Sequence, residues 1–219
     1  CRPTRRRVRR WRARERPALI FLAYPNNPTG NLFAATGIEA ILRVAPGLVV
    51  VDEAYHAFAG ASFLPRLAEF PNLVVLRTVS KIGMAGLRLG YAVAAPEWTT
   101  ELNKVRQPYN LNALTQAVVP LLLGEDDLLA EQAARIRSER SRLRGALCNL
   151  PDVVAFPTQT NFVLARVPDA PRWFEHLRQQ GILVKNLHGW HPSLEHCLRI
   201  TVGTPAENDA LIAALQTIR

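Results

Sequence analysis

The 219 residues suffice for one large domain or two small ones, and with 48% of them apolar a packed core is within reach, which excludes whole-chain disorder and a whole-chain coiled coil. The net charge of +9 suggests a nucleic-acid partner until it is located: residues 1–16 hold nine Arg and one Glu, and the other 203 residues carry only +1. Cys1, Cys148 and Cys197 make no disulfide framework or metal knuckle, no apolar run approaches the roughly 20 residues of a membrane span, and residues 1–16 have no apolar signal core, so a soluble cytoplasmic chain without a membrane partner is expected.

Residues 1–16 lack the aromatic interleaving and helical period of a specific nucleic-acid arm and read as a basic, disordered end outside the fold. A first residue other than Met sets the expectation of a piece of a longer chain. From Pro17 the texture changes. Ala18–Ala23 is a continuous apolar run ending in the turn cluster Tyr24-Pro-Asn-Asn-Pro-Thr-Gly30, a buried strand followed by a functional loop. Residues 36–45 carry helical spacing at Ile38, Ile41 and Leu42. Leu48–Val51 is a second strand, ending in Asp52-Glu-Ala-Tyr55; residues 72–79 are a third, ending in Ser80-Lys81; residues 89–94 are a fourth. Apolar strands alternating with helical segments predict an α/β fold with a parallel or mixed sheet covered on both faces.

Residues 125–148 read as one long helix with Leu129, Ala133, Ile136, Leu143 and Leu147 on a stripe, stopped by Pro151. A smaller α+β region follows: strands near 160–167, 182–185 and 197–202, a helix near 171–180, and a last helix opened by Thr204-Pro-Ala-Glu207, a capping box with Pro at the first helical position. The expected organisation is therefore a basic segment 1–16, a partial large domain 17–124, a connecting helix 125–150 and a small C-terminal domain 151–219.

Open α/β sheets bind ligands at the carboxyl edge of their strands, where this sequence delivers Asn27, Asp52 with Tyr55, and Lys81. No Gly-x4-Gly-Lys pattern surrounds Lys81, which excludes a nucleotide-binding loop. A lysine with an acid, a phenol, an amide, the hydroxyls of Thr78 and Ser80 and the guanidinium of Arg88 is the set that pyridoxal phosphate requires. His188, His191, His196 and Cys197 fit no common zinc spacing, so no metal is expected. Tyr109 and Trp190 read as packing or cleft walls.

The ordered motifs YPNNPTG, VVVDEAY, TVSKIGMAGLRLGY and CLRITVG resemble the fold type I, class I/II aminotransferases, and within them most closely the histidinol-phosphate aminotransferases, over Pro17–Arg219. The resemblance implies a partial large domain with a mostly parallel sheet plus a small C-terminal α+β domain, with the first third of a family subunit lying outside this sequence. It implies pyridoxal 5′-phosphate carried as an aldimine on Lys81, which requires a neutral amine and then serves as the general base. It further implies Asp52 at the pyridine nitrogen, Tyr55 and Asn27 at the phenolic oxygen, Thr78, Ser80 and Arg88 at the phosphate, and Arg199 at the substrate carboxylate. Lys81 and Arg88 are seven apart, where many relatives have eight.

The activity implied is transamination of histidinol phosphate with 2-oxoglutarate in L-histidine biosynthesis, by a homodimer with small-molecule substrates. Alternatives are a threonine-phosphate decarboxylase, another class I/II aminotransferase, or, from a different class, an inactive fragment or basic nucleic-acid-binding module led by residues 1–16. The isolated chain is expected to aggregate.

Overall fold

The structure, a computed structural model, describes residues 16–218. The expectation for residues 1–15 lies outside the described residues. The chain divides into two compact units. One comprises residues 16–26 together with Leu32–Leu129, the other Asn27–Asn31 together with residues 130–218.

In the first unit, strands β1 (Leu19–Ala23), β2 (Leu48–Asp52), β3 (Leu73–Thr78) and β4 (Gly90–Ala94) form one sheet in that order. β1, β2 and β3 are parallel, with Leu19 opposite Leu48 and Val49 opposite Leu73, and β4 is antiparallel to β3, with Thr78 opposite Gly90. Helix α1 (Ala35–Leu42) returns the chain from β1 to β2, as parallel pairing requires. Its Ile38 and Leu42 pack with Ile20, Val49, Val51, Leu73, Val75, Phe63 and Phe70 on one face of the sheet. At Gly47, immediately before β2, a Cβ would lie 2.0 Å from the Ala18 carbonyl oxygen, so only glycine lets the two strands start side by side.

The expectation of a sheet covered on both faces fails at β1. Side chains alternate along a strand, and while Ile20 enters the core, Leu19 and Phe21 on the other face are 53% and 66% exposed. Two helices occupy the segment after β4, α2 (Pro96–Val105) and α3 (Ala113–Leu123). Tyr109, in the link between them, is 98% exposed, so it is not packed in the core; with Arg106 and Gln116 it lines an open surface cleft.

The second unit is built on helix α4 (Asp126–Cys148), whose first residues belong to the first unit. Its antiparallel sheet has the order β5 (Val154–Ala155), β6 (Phe162–Arg166), β8 (Cys197–Thr201), β7 (Lys185–Asn186). Residues Val163, Ala165, Leu198 and Ile200 face Leu143 and Leu147 of α4, Trp173 and Leu177 of helix α5 (Ala170–Gln179), and Leu211 and Leu215 of helix α6 (Pro205–Gln216). The Ile136, Leu143 and Leu147 part of the stripe expected on the long helix is this contact. The capping box at α6 forms: the Thr204 hydroxyl accepts the Glu207 amide, and the Glu207 carboxylate accepts the Thr204 amide at 2.7 Å. Residues 182–184, expected as strand, are not; only Lys185 and Asn186 pair, because Gly181 turns the chain with a φ of 75° and the ladder on β8 begins at Arg199.

A pH response is built into the first unit. His56 is half-buried with its Nδ1 3.1 Å from the Glu53 carbonyl oxygen; burial, reinforced by the Arg77 cation, holds its pKa below the usual imidazole value. The folded state then disfavours the protonated ring. Stability from this group is complete above the unfolded pKa of about 6.5 and is lost as pH falls toward the lower folded value. The thermal midpoint should therefore fall as the pH drops below about 6.5, and His56→Gln should flatten that fall. Equal slopes for the chain and the variant in differential scanning fluorimetry would contradict the assignment.

Candidate functional site

The first unit brings one set of expected residues to the carboxyl ends of its strands. Asp52 ends β2, and its Oδ1 accepts the Ala54 amide at 2.9 Å, which turns the chain sharply out of the sheet. That turn delivers Tyr55, 8% exposed, at the start of a single helical turn His56–Phe58. Thr78 ends β3 and caps the next helical turn, Val79–Lys81, by accepting the Ser80 amide at 3.1 Å. Lys81 emerges from that turn with its Nζ 5.4 Å from the centre of the Tyr55 ring. The structure thus joins residues 26 positions apart in sequence, Tyr55 and Lys81.

The segment from Val79 to Leu89 closes on itself. The Leu89 carbonyl oxygen accepts both the Val79 amide (3.2 Å) and the Thr78 hydroxyl (2.9 Å), and the Leu87 carbonyl oxygen accepts the Thr115 hydroxyl of α3 (3.0 Å). Arg88 sits in this closed loop with a φ of 52°, in the left-handed region, and its guanidinium is exposed apart from a long contact to the Ala85 carbonyl oxygen at 3.4 Å. Strain of this kind in a residue other than glycine is sustained only where the surroundings fix it. Of the glycines around it, Gly83 has a positive φ and Gly86 and Gly90 do not.

The two hydroxyls beside Lys81 are placed differently. Thr78 has a single hydroxyl proton, and here it is donated to the Leu89 carbonyl oxygen, so this side chain shapes the loop. The Ser80 hydroxyl has no partner among the described residues and keeps its donor. Two neighbours escaped the sequence reading: Glu53, fully buried beside Asp52, and Arg77 beside Thr78, which pair at 3.0 Å. The only signal for them is the placement of a charge inside an apolar run.

The second unit holds Asn27 and Arg199. The loop 27–31 belongs to it through Gly30, whose carbonyl oxygen accepts the Gln159 amide at 2.7 Å. Gly30 has a φ of 75°, and a Cβ there would lie 2.4 Å from the Thr158 hydroxyl, so the loop seats only with glycine. Arg199, on the sheet face opposite the helices, stacks its guanidinium 5.2 Å from the Phe162 ring centre and donates from Nη1 to Asn27 Oδ1 at 2.8 Å. Its Nε is buried and has no acceptor among the described residues. A buried N–H left unpaired is costly, and with Nη1 taken, the parallel N–H pair on the Nε–Nη2 edge is the edge that grips a carboxylate in two bonds.

His188 lies with its Nδ1 2.9 Å from Glu195 and its ring 4.7 Å from that of His196. Among the described residues no group of three or more His, Cys, Asp or Glu is placed to hold a metal ion, and no helix is long and apolar enough to cross a membrane. Trp190, 64% exposed, carries Lys185 over its ring at 4.6 Å.

The sequence profile of aminotransferase class I and II matches residues 9–215. The histidinol-phosphate aminotransferase of Chromobacterium violaceum is 56% identical over 203 residues, which are 93% of this chain and 57% of that protein; the chain thus spans little more than half the length of the relative. Among solved structures, histidinol-phosphate aminotransferase from Sinorhizobium meliloti in complex with pyridoxal-5′-phosphate superposes with a TM-score of 0.83 at 31% identity, over 93% of this chain and 57% of that one. L-threonine-O-3-phosphate decarboxylase from Porphyromonas gingivalis superposes with a TM-score of 0.79 at 26% identity, over 91% of this chain and 63% of that one.

Proposed function

Because the chain belongs to the class I and II aminotransferases, whose fold type I architecture and pyridoxal-phosphate dependence it shares, we propose that the protein transfers the amino group of histidinol phosphate to 2-oxoglutarate, a step of L-histidine biosynthesis. The observation that carries this reading is a lysine amine delivered by a helical turn at the end of β3 against Tyr55, in a chain 56% identical to a histidinol-phosphate aminotransferase.

The donor set fits the cofactor. Lys81 Nζ would hold its aldehyde carbon, Asp52 a proton on its pyridine nitrogen, Tyr55 its phenolic oxygen, and Ser80 with Arg88 its phosphate. Asn27 has its Oδ1 committed to Arg199, which leaves its Nδ2 as the donor for the phenolic oxygen. Pyridoxal phosphate, when bound, supplies a ring that withdraws electrons from the substrate's α-carbon. Lys81 Nζ would take the α-proton and return it, the work of a positioned general base. Arg199 would offer its Nε–Nη2 edge to a carboxylate, which would satisfy the buried Nε. Asp52 supports the same chemistry as a carboxylate, by keeping the ring nitrogen protonated.

The likeness to a threonine-phosphate decarboxylase favours a second reading with the same cofactor and a different bond broken. A holoenzyme supplied with histidinol phosphate and 2-oxoglutarate is expected to form glutamate, and with threonine phosphate to release no carbon dioxide. The opposite pair of results would replace the first reading by the second. A two-fold homodimer in the cytoplasm suits both; the apolar side chains exposed on α2 and α3, among them Val105, Leu114 and Leu121, support a partner surface.

A further inference from the structure

Glu53 and Arg77 take no part in the assignment above, yet they stand next to its members, Glu53 after Asp52 and Arg77 before Thr78. Asp52 pairs in register with Leu76, and the Glu53 amide continues the ladder by donating to the Leu76 carbonyl oxygen at 2.8 Å. Alternation along the strands puts Glu53 and Arg77 on the face of Val51 and Val75, which is packed, and puts Asp52 and Thr78 on the other.

On that packed face Glu53 is 0% exposed and its carboxylate is saturated. Oε2 accepts Arg77 Nε at 3.1 Å, Arg77 Nη2 at 3.0 Å and the Ser62 hydroxyl at 2.8 Å, and Oε1 accepts the Phe63 amide at 2.5 Å. Arg77 Nη2 also donates to Ser62 Oγ at 2.9 Å, and Ser62 Oγ accepts the Leu64 amide at 2.9 Å. Two strand ends and the turn 62–64 are therefore tied at one point. Burying two charges costs several kcal/mol each, and apolar side chains of the same volume stabilise a fold as well or better, so stability alone gives no reason for this pair. Directed hydrogen bonds do give one, since they admit a single arrangement of the groups they join.

We propose that Glu53 and Arg77 are positioning residues: from the packed face they clamp the ends of β2 and β3 to the 62–64 turn, and so fix the backbone that presents Asp52, Tyr55 and Lys81 to pyridoxal phosphate. The inference rests on the reading of Lys81 given above. Neither side chain touches the cofactor in it. A clamp of this kind acts by placement, and small misplacement of a reacting group is costly in rate and affinity.

Competitive labelling tests it. The chain has three lysines, Lys81, Lys104 and Lys185, so two serve as internal controls. The dilute full chain is incubated with pyridoxal phosphate, reduced with borohydride and digested, and peptide mass spectrometry reads the label on each lysine. The native chain should label Lys81 in strong preference. The double variant E53L/R77M, folded by circular dichroism and with a thermal midpoint no lower than the native one, should lose that preference by about tenfold, and R77K, which keeps the charge without the fork, should lose part of it. Native preference in the folded double variant would overturn the proposal. Should that variant not fold, folded R77K and E53Q with native preference would overturn it equally. A native chain with no preference for Lys81 refutes the cofactor reading instead, and with it the clamp.

Discussion

Replacing Lys81 by Ala is expected to abolish the preferential covalent capture of pyridoxal phosphate and the visible absorbance that accompanies it. The other two lysines offer no substitute. Lys104 is a surface group on α2 held 2.5 Å from Glu101, and Lys185 lies over the Trp190 ring. Only Lys81 stands at a strand end with a free hydroxyl at Ser80, a cation at Arg88 and a carboxylate at Asp52 delivered to the same sheet edge. Lys81 is half-buried and makes no ion pair among the described residues, so the fold should lose no more than about 0.5 kcal/mol. In the holoenzyme, loss of a general base alone costs about 10²–10⁴-fold, and loss of the covalent attachment adds to it. The check is absorbance and mass after borohydride reduction, with the thermal midpoint as control. A Lys81→Ala chain that captures cofactor as the native chain does would remove Lys81 from the reaction.

The second large effect concerns association. Among the described residues β1 is an edge strand of its sheet, and its outer backbone groups, unpaired there, lie beside Leu19 and Phe21, 53% and 66% exposed. A bare edge with apolar side chains is a template for another chain, and fully covering residues of this size contributes about 1.5–3 kcal/mol each. The 219-residue chain is therefore expected to self-associate as its concentration rises, seen as sedimentation coefficients that grow with loading. Leu19→Lys with Phe21→Lys should shift it strongly toward monomer, since charges on an edge oppose pairing. Preceding Pro17 with the N-terminal portion of the Chromobacterium violaceum relative should replace the open-ended species by a discrete dimer. A native chain that stays monodisperse at every concentration would show that the edge does not act as a template.

The strands of the first unit could be read from the sequence because each is a continuous apolar run bounded by turn residues: Leu48–Asp52 and Leu73–Thr78 fall within one residue of the expected limits. The long helix and the α6 cap were equally legible, since both rest on spacing within one segment. Helix α3 was not. Its sequence, ALTQAVVPLLL, is apolar nearly all round and contains Pro120, so it shows no stripe. The antiparallel direction of β4 was also hidden, because it depends on how the Val79–Leu89 loop closes on the Leu89 carbonyl oxygen.

The sequence by itself determined the chemistry available at the strand ends: which residues carry an amine, a carboxylate, a phenol and a guanidinium, in an order that marks the family. Local pattern suffices for that, because each group is carried by its own short motif. Tertiary structure decided what those groups are free to do. It spent the Thr78 proton on Leu89 and left Ser80 unspent, and it bound Asn27 to Arg199, 172 positions away. It also paired Glu53 with Arg77, 24 positions apart, behind the sheet. These are hydrogen bonds between segments remote in sequence, and a proton or lone pair is committed only when folding brings its partner within about 3 Å.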